Sequence, residues 1–485
     1  SSYQWLKDGE VVADSTAISG ATTATLRLKQ VAQDSAGLYQ LLIKVGDRSA
    51  VIARHEVRIT KKPIVTTPAM GPWVVGQSVA VLLRSEPAAP SYKATGLPPG
   101  LKLDAATGSL SGIPTKAGTY TISVTPISAA GAGPVRLYPV VVGALDPRLI
   151  GSFEGLQGRG YWNNDPLGGA VSISVSASAS YSGVLRQGSV RIPFVGQLQA
   201  ADQSADYVST TTYKIADSVV EGSLRLDRAN GAFSGWLRMG GGSAFTAIRN
   251  VTAAEVQKLN FVFEPTPEEV AFGGIPWGNS ILSANVNRSG LIKGAGALAD
   301  GTSVTFASRL AEGGRLPIYL SVKSSASLQG WLTSTDGPYT GTADWFRLPD
   351  QTGKAFSSGI GLHSLNSLGG QYQSPASGTD LFGDVAPANG YQIQLQGEVF
   401  SLQLPLNISL KGKGVFVNQP QSKFAFQPAT GRFDASCQVL LDGVLQPAKI
   451  VGVVLPGQPL GTGWCLIPDG KGGAKSALVI LEPLP

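Results

Sequence analysis

The chain is 485 residues long, 43% hydrophobic and only 14% charged, with a formal net charge of +6 and a pI of about 9.1. This apolar content excludes a disordered chain, and at roughly 100–200 residues per domain the length predicts three or four domains. Lysine and arginine are scattered, Lys61–Lys62 being the one adjacent pair, which excludes the basic stripe interleaved with aromatics that a nucleic-acid groove requires. No apolar run approaches the roughly 20 residues of a transmembrane helix. No signal peptide opens the sequence, as in a mature or excised fragment. The 61 glycines and 31 prolines, with Ser and Thr between Val, Ile and Leu, predict an all-β chain: tandem β-sandwiches followed by a large hairpin-rich meander.

In residues 1–60, Tyr3-Gln-Trp5-Leu-Lys-Asp-Gly9 reads as a central strand with a core tryptophan and its turn, Ile18 to Leu28 as a hairpin, and Asp34-Ser-Ala-Gly-Leu-Tyr39 as a bend entering a strand. Together these resemble an immunoglobulin-like domain of the intermediate (I-set) kind, and the resemblance implies that Tyr39 is the tyrosine corner. Leu41 stands where the family's second cysteine would fall. The family's first two strands would precede Trp5, so the domain is expected to be incomplete, with an open assembly edge at Tyr3, Trp5 and Leu41. Either a fragment or strand donation between subunits would account for this. Ser476 to Leu481, SALVIL, is one candidate donor, with a role as the last strand of its own domain as the plainer reading.

Residues 61–143 contain ATGLPPGLKLDAATGSLSGIPTKAGTYTISVT from Ala94 to Thr125. Pro99-Gly100 suits a type II turn, Asp104 to Gly108 a second reversal, and Thr119 to Thr125 alternates with Tyr120, Ile122 and Val124 on one face. Trp73, in PWVVGQSVAVLL, sits on a core strand. The segment resembles the cadherin-like module of large bacterial surface proteins, which implies a spacer or adhesive β-sandwich. Calcium-binding members carry acidic clusters at their junctions. Asp104 stands almost alone, so no metal is expected.

From residue 144 onward a short motif recurs as SASYSG (178–183), ANGAFSG (229–235), NRSGLIKG (287–294), DGPYTG (336–341) and ATGRFDA (429–435). Each reads as a hairpin whose glycine makes the turn and whose aromatic or apolar residue starts the returning strand. The expected units are 144–322 and 323–485, or one large domain, closed as a barrel or folded as a sandwich. This half resembles the β-rich regions that follow immunoglobulin-like repeats in verrucomicrobial surface proteins. One helix is expected, from a capping box at Thr252–Glu255 into Val256–Asn260. Tyr161 and Trp162 are the candidate ligand-binding residues, a pair of aromatics beside amides suited to stacking on sugars.

Catalytic groups are not evident. The two histidines, His55 and His363, are far apart and lack spaced partners, which fits neither a triad nor a zinc site. Glu268 and Glu269 are adjacent in a proline-bounded polar stretch and read as solvated charge; Glu154, Asp165, Glu221 and Glu398 are isolated. An outer-membrane barrel is disfavoured by the lack of aromatic girdles. Cys437 and Cys465 form a disulfide if their strands are neighbours or otherwise stand as buried thiols, and the extracellular reading favours the bridge. The expectation is a non-enzymatic extracellular or cell-surface structural protein without cofactors. Its partner is itself, in a fibre or array, or a cell-surface polysaccharide; the alternatives are a carbohydrate-binding surface protein and a secreted glycan-acting hydrolase.

Overall fold

The computed structural model describes residues 1–159, 167–200, 206–215, 218–227, 229–237, 243–323, 325–350, 355–376, 389–398, 400–408, 412–455, 461–469 and 473–484. The fold is all-β, arranged as two compact units: Ser1–Val74 with Ser78–Gly143, and Val75–Gln77 with Ala144–Pro485.

In residues 1–60 the Ser2–Lys7 strand lies between Glu10–Val11 and Gly37–Val45, and Arg48–Val57 forms the far edge. Trp5 pairs with Leu41 across the two central strands. It is 7% exposed, packed with Val12, Ala21, Tyr39 and Leu41, and its indole N–H donates to the Thr23 carbonyl at 3.0 Å. The open edge expected at Tyr3, Trp5 and Leu41 is therefore corrected: these residues lie on inner strands, and the chain's own Ala21–Thr23 stretch covers the tryptophan. Tyr39 does form the corner, its hydroxyl donating to the Ser35 carbonyl at 3.0 Å. Burial raises the Tyr39 pKa, with Asp8 and Asp34 adding to the effect.

The next sandwich pairs Gly118–Ser128 with Ser91–Thr95 and Arg136–Gly143, and sets Val79–Leu82, Ser109–Gly112 and Leu101–Leu103 in a second sheet. Ile122 and Val124 are fully buried, as their alternation predicts, and Trp73 is in the core. The Leu101 N–H closes the predicted turn onto the Pro98 carbonyl at 3.1 Å. Gly100 is required there, because its φ is +94° and a Cβ would lie 1.9 Å from the Ile113 carbonyl oxygen.

The remaining chain consists of three successive antiparallel meanders, each pairing its first strand with its last. The first, from Gly151–Gln157 to Ala244–Arg249, curls until Val190–Gln197 lies beside Tyr207–Ile215. The second, from Gln257–Pro265 to Ile360–Gln371, curls in the same way, bringing Ser303–Arg309 beside Arg315–Val322. The third, from Tyr391–Gly397 to Ala474–Pro483, is a closed eight-stranded barrel. Arg315–Val322 is hydrogen-bonded along its length to Ala326–Thr333, so a boundary at 322/323 would divide one hairpin of the second meander.

The recurrent motif makes hairpin turns at all five positions. SASYSG and NRSGLIKG occupy the same hairpin, between the second and third strands of the first two meanders, while ANGAFSG and DGPYTG join the sixth and seventh long strands. The repeating unit is a whole meander, which is why spacing between individual hairpins is uneven.

The expected helix at Val256–Asn260 is corrected to strand. Leu259 to Phe263 are all buried, on both faces of the strand, and pairing with both Ser280–Val286 and Ile360–Gln371 outweighs a local capping signal. The helix lies one step later, at Pro267–Phe272, where the Thr266 hydroxyl accepts the Glu269 N–H at 3.3 Å and proline occupies the first turn.

The meanders meet through different chemistry. Between the first and second, Arg159 donates to the Ser327 hydroxyl at 2.8 Å, Gly169 N–H to Gln329 Oε1 at 3.1 Å and Gly188 N–H to the Tyr319 hydroxyl at 2.8 Å. Between the second and the barrel the joint has an apolar centre, in which Val451, Val453, Leu455 and Trp464 of the barrel belong to the second meander's core, and the buried Asn260 amide donates to the Val454 carbonyl at 3.1 Å.

Candidate functional site

The second meander and the barrel enclose a cleft of about 430 Å³, continuous through Glu264, Asn279, Asn366 and Leu478 with a smaller one of about 230 Å³. The Pro267–Phe272 helix supplies its roof, through Val270 and Ala271, and the loop after it carries half-buried Trp277. This loop presses against the barrel. Trp277 N–H donates to the Ser476 hydroxyl at 2.8 Å, and Asn279 donates from its backbone to the Gly463 carbonyl and from its amide to the Thr462 hydroxyl, each at 3.0 Å. Gly278 permits the approach, since a Cβ there would sit 2.8 Å from both the Ala477 oxygen and Trp464 Cβ.

Glu264 and Asn366 are direct cross-strand partners, which sets their Cβ atoms about 4.5–5.5 Å apart. Both side chains are exposed, and neither has a hydrogen-bond partner among the described residues. A carboxylate and an amide at that spacing match the adjacent hydroxyls of a sugar ring, and Trp277 offers an apolar face beside them.

The roof is tied down by a pair that the sequence reading left apart. Glu268 and Glu269 lie in the first turn of the helix, where carboxylates are favoured. The Glu269 carboxylate contacts His363 Nδ1 and accepts the Ser364 N–H at 3.4 Å. His363 thus has a structural partner brought to it from the helix, whereas His55 sits on the Arg48–Val57 edge strand. The described residues lining the cleft include one carboxylate, Glu264, while paired acid–base hydrolysis needs two. Among the described residues no group of three His, Cys, Asp or Glu could hold a metal ion.

Tyr161 and Trp162 lie outside the described residues. Cys437 and Cys465 are both free and buried, which corrects the expected bridge. The Val444–Val454 strand runs between theirs, so at roughly 4.8 Å per strand their backbones are about 10 Å apart, beyond disulfide reach. Burial pushes the Cys437 thiol up to about 11 and raises that of Cys465 as well, leaving both as inert core groups.

The cleft residues could not be found from the sequence. Glu264 and Asn366 meet only because the first strand of the meander pairs with its last. The one available signal was Trp277, a lone aromatic in the glycine- and proline-rich GGIPWGN.

The family described as "Putative Ig domain" matches residues 62–143. No protein of curated function matches the chain. Solved structures that resemble it include extracellular domains 3–5 of Drosophila OTK (13% identity, covering 41% of this chain and 85% of that one, TM-score 0.16). Sidekick-1 immunoglobulin domains 1–4 resemble it at 9% identity, covering 100% and 90%, with a TM-score of 0.18. The transferrin binding protein B of Haemophilus parasuis does so at 11% identity, covering 87% and 98%, with a TM-score of 0.18. Scores this low bear on neither its fold nor its activity. No helix among the described residues is long and apolar enough to cross a membrane.

Proposed function

We propose that this is a non-enzymatic extracellular adhesive protein that holds a cell-surface polysaccharide in the cleft at Trp277. The observation that carries this reading is the unpartnered Glu264–Asn366 pair beside a half-buried tryptophan. The immunoglobulin-like modules would act as spacers. Trp277→Ala should weaken saccharide binding at least about tenfold, because base- or sugar-type stacking on an aromatic contributes on the order of 1–3 kcal/mol, with little change in thermal stability. A glycan array on which the unmodified protein binds nothing would sink the proposal.

A second reading is assembly into a fibre by strand addition at Arg48–Val57. Its support is an edge strand with Val51 and Ile52 exposed. Against it stands a bulge that leaves Ile52 without a register partner, a feature that blunts edges. Electron microscopy at high protein concentration should show polymers that Ile52→Pro abolishes; a monodisperse monomer would exclude this reading.

A further inference from the structure

A second groove, of about 930 Å³, shares no lining residue with the Trp277 cleft. One wall is the turn Asp300–Thr302 with Arg347; the other is the outer face of the barrel at Ser436, Lys449 and Leu466. Ser436, Lys449 and Leu466 stand in one cross-strand row.

Its two cations have unused capacity. Arg347 follows a register shift after Trp345, and such bulges re-aim side chains. Its Nη1 donates to Asp300 Oδ2 at 2.7 Å, with the side chains 12% and 1% exposed. The other Asp300 oxygen accepts the Thr302 N–H at 2.9 Å, so this carboxylate is fully engaged. A guanidinium has five N–H donors, and the rest of Arg347's have no partner among the described residues. Across the groove the Lys449 ammonium lies 5.6 Å from the Trp464 ring centroid, with no hydrogen-bond or ion-pair partner among the described residues. Nearby Asp469 is turned into its own loop, accepting the Gly473 N–H at 2.8 Å.

Among the described lining residues, with Asp300 set against Arg347, one positive charge remains, that of Lys449. A monoanion balances it, whereas a phosphate monoester, at roughly −1.5 to −2, overshoots. The space is far larger than an inorganic ion, and beside Lys449 it is walled by Pro447, Leu466 and Pro468. We infer that this groove binds an organic carboxylate, the head held between the Arg347 fork and Lys449, the apolar body along the proline and leucine wall. The source is a free amphiphilic acid or the carboxyl terminus of a polypeptide.

Calorimetric titration of the full chain with two matched pairs tests this: decanoate against decanol, and N-acetyl-alanyl-leucine against its amide. In one pair the acid should bind at least about tenfold more tightly than its neutral partner, since charge-assisted hydrogen bonds are roughly twice as strong as neutral ones. The pair that responds identifies the source. Lys449→Met should weaken the acid about tenfold while the chain still unfolds cooperatively, with only the small loss of the contact to the Trp464 ring. Arg347→Lys, which keeps a cation opposite Asp300, should do the same by removing the fork. The inference is overturned if neither acid binds at millimolar concentration, if acid and neutral partner bind alike, or if Lys449→Met changes nothing. Trp277→Ala should leave this binding intact, which separates its failure from that of the saccharide reading.

Discussion

Trp464→Ala should cost about 3–5 kcal/mol and separate the thermal unfolding of the barrel from that of the second meander. The indole is fully buried. It projects from the barrel strand Gly461–Pro468 into the core of the neighbouring meander, with Gly278 and Gly301 packed against it. Alanine would leave a cavity in the apolar centre of the joint, beside the hydrogen bonds that Asn279 makes to Thr462 and Gly463. The indole N–H has no hydrogen-bond partner among the described residues, so Trp464→Phe should retain much of the stability, as only volume is lost. Differential scanning calorimetry checks this, and a single transition unchanged by Trp464→Ala would refute the role of the joint. The same substitution should loosen both grooves, because Gly278 lines one and Gly301 the other.

The second large effect is pH-dependent. Glu154, on the Gly151–Gln157 strand, has its carboxyl pushed up to about 7 by burial, with Arg186 and Arg309 pulling the other way. A carboxyl with a native pKa raised above its unfolded value of about 4.5 favours folding when protonated. Its contribution is complete below pH about 4.5, falls as pH rises through about 7, and is absent above that. Glu154→Gln removes the penalty of ionisation, so it should stabilise the protein by up to about 3 kcal/mol at pH 8 and change little at pH 4. Urea midpoints at the two pH values measure this. An equal shift at both would show that the effect is packing and not ionisation.

The two joints differ in chemistry, and Trp464 responds through its place in the second whereas Glu154 responds to its own burial. The first is built from paired amides and hydroxyls such as Gln157, Gln187 and Gln329, where a charge without a partner is costly. The second sets aliphatic groups and one tryptophan beside the hydrogen bonds of Trp277 and Asn279, and in its apolar centre lost volume is costly.

Local patterns in the sequence determined the turns and strands. Pro99-Gly100, the alternation from Thr119 to Thr125 and the five recurrent hairpins were all legible, because φ restrictions and side-chain periodicity act between near neighbours. The tyrosine corner at Tyr39 was legible through the resemblance of Asp34 to Tyr39 to the immunoglobulin-like pattern. Only the tertiary structure decided that Gln257–Pro265 is a strand, that Trp5 is covered by Ala21–Thr23, that Cys437 and Cys465 are a strand too far apart to bond, and that Glu269 reaches His363. It also assembled both grooves. Closing a meander pairs its first strand with its last, so residues a hundred positions apart become neighbours, and no local rule of backbone or periodicity carries that distance.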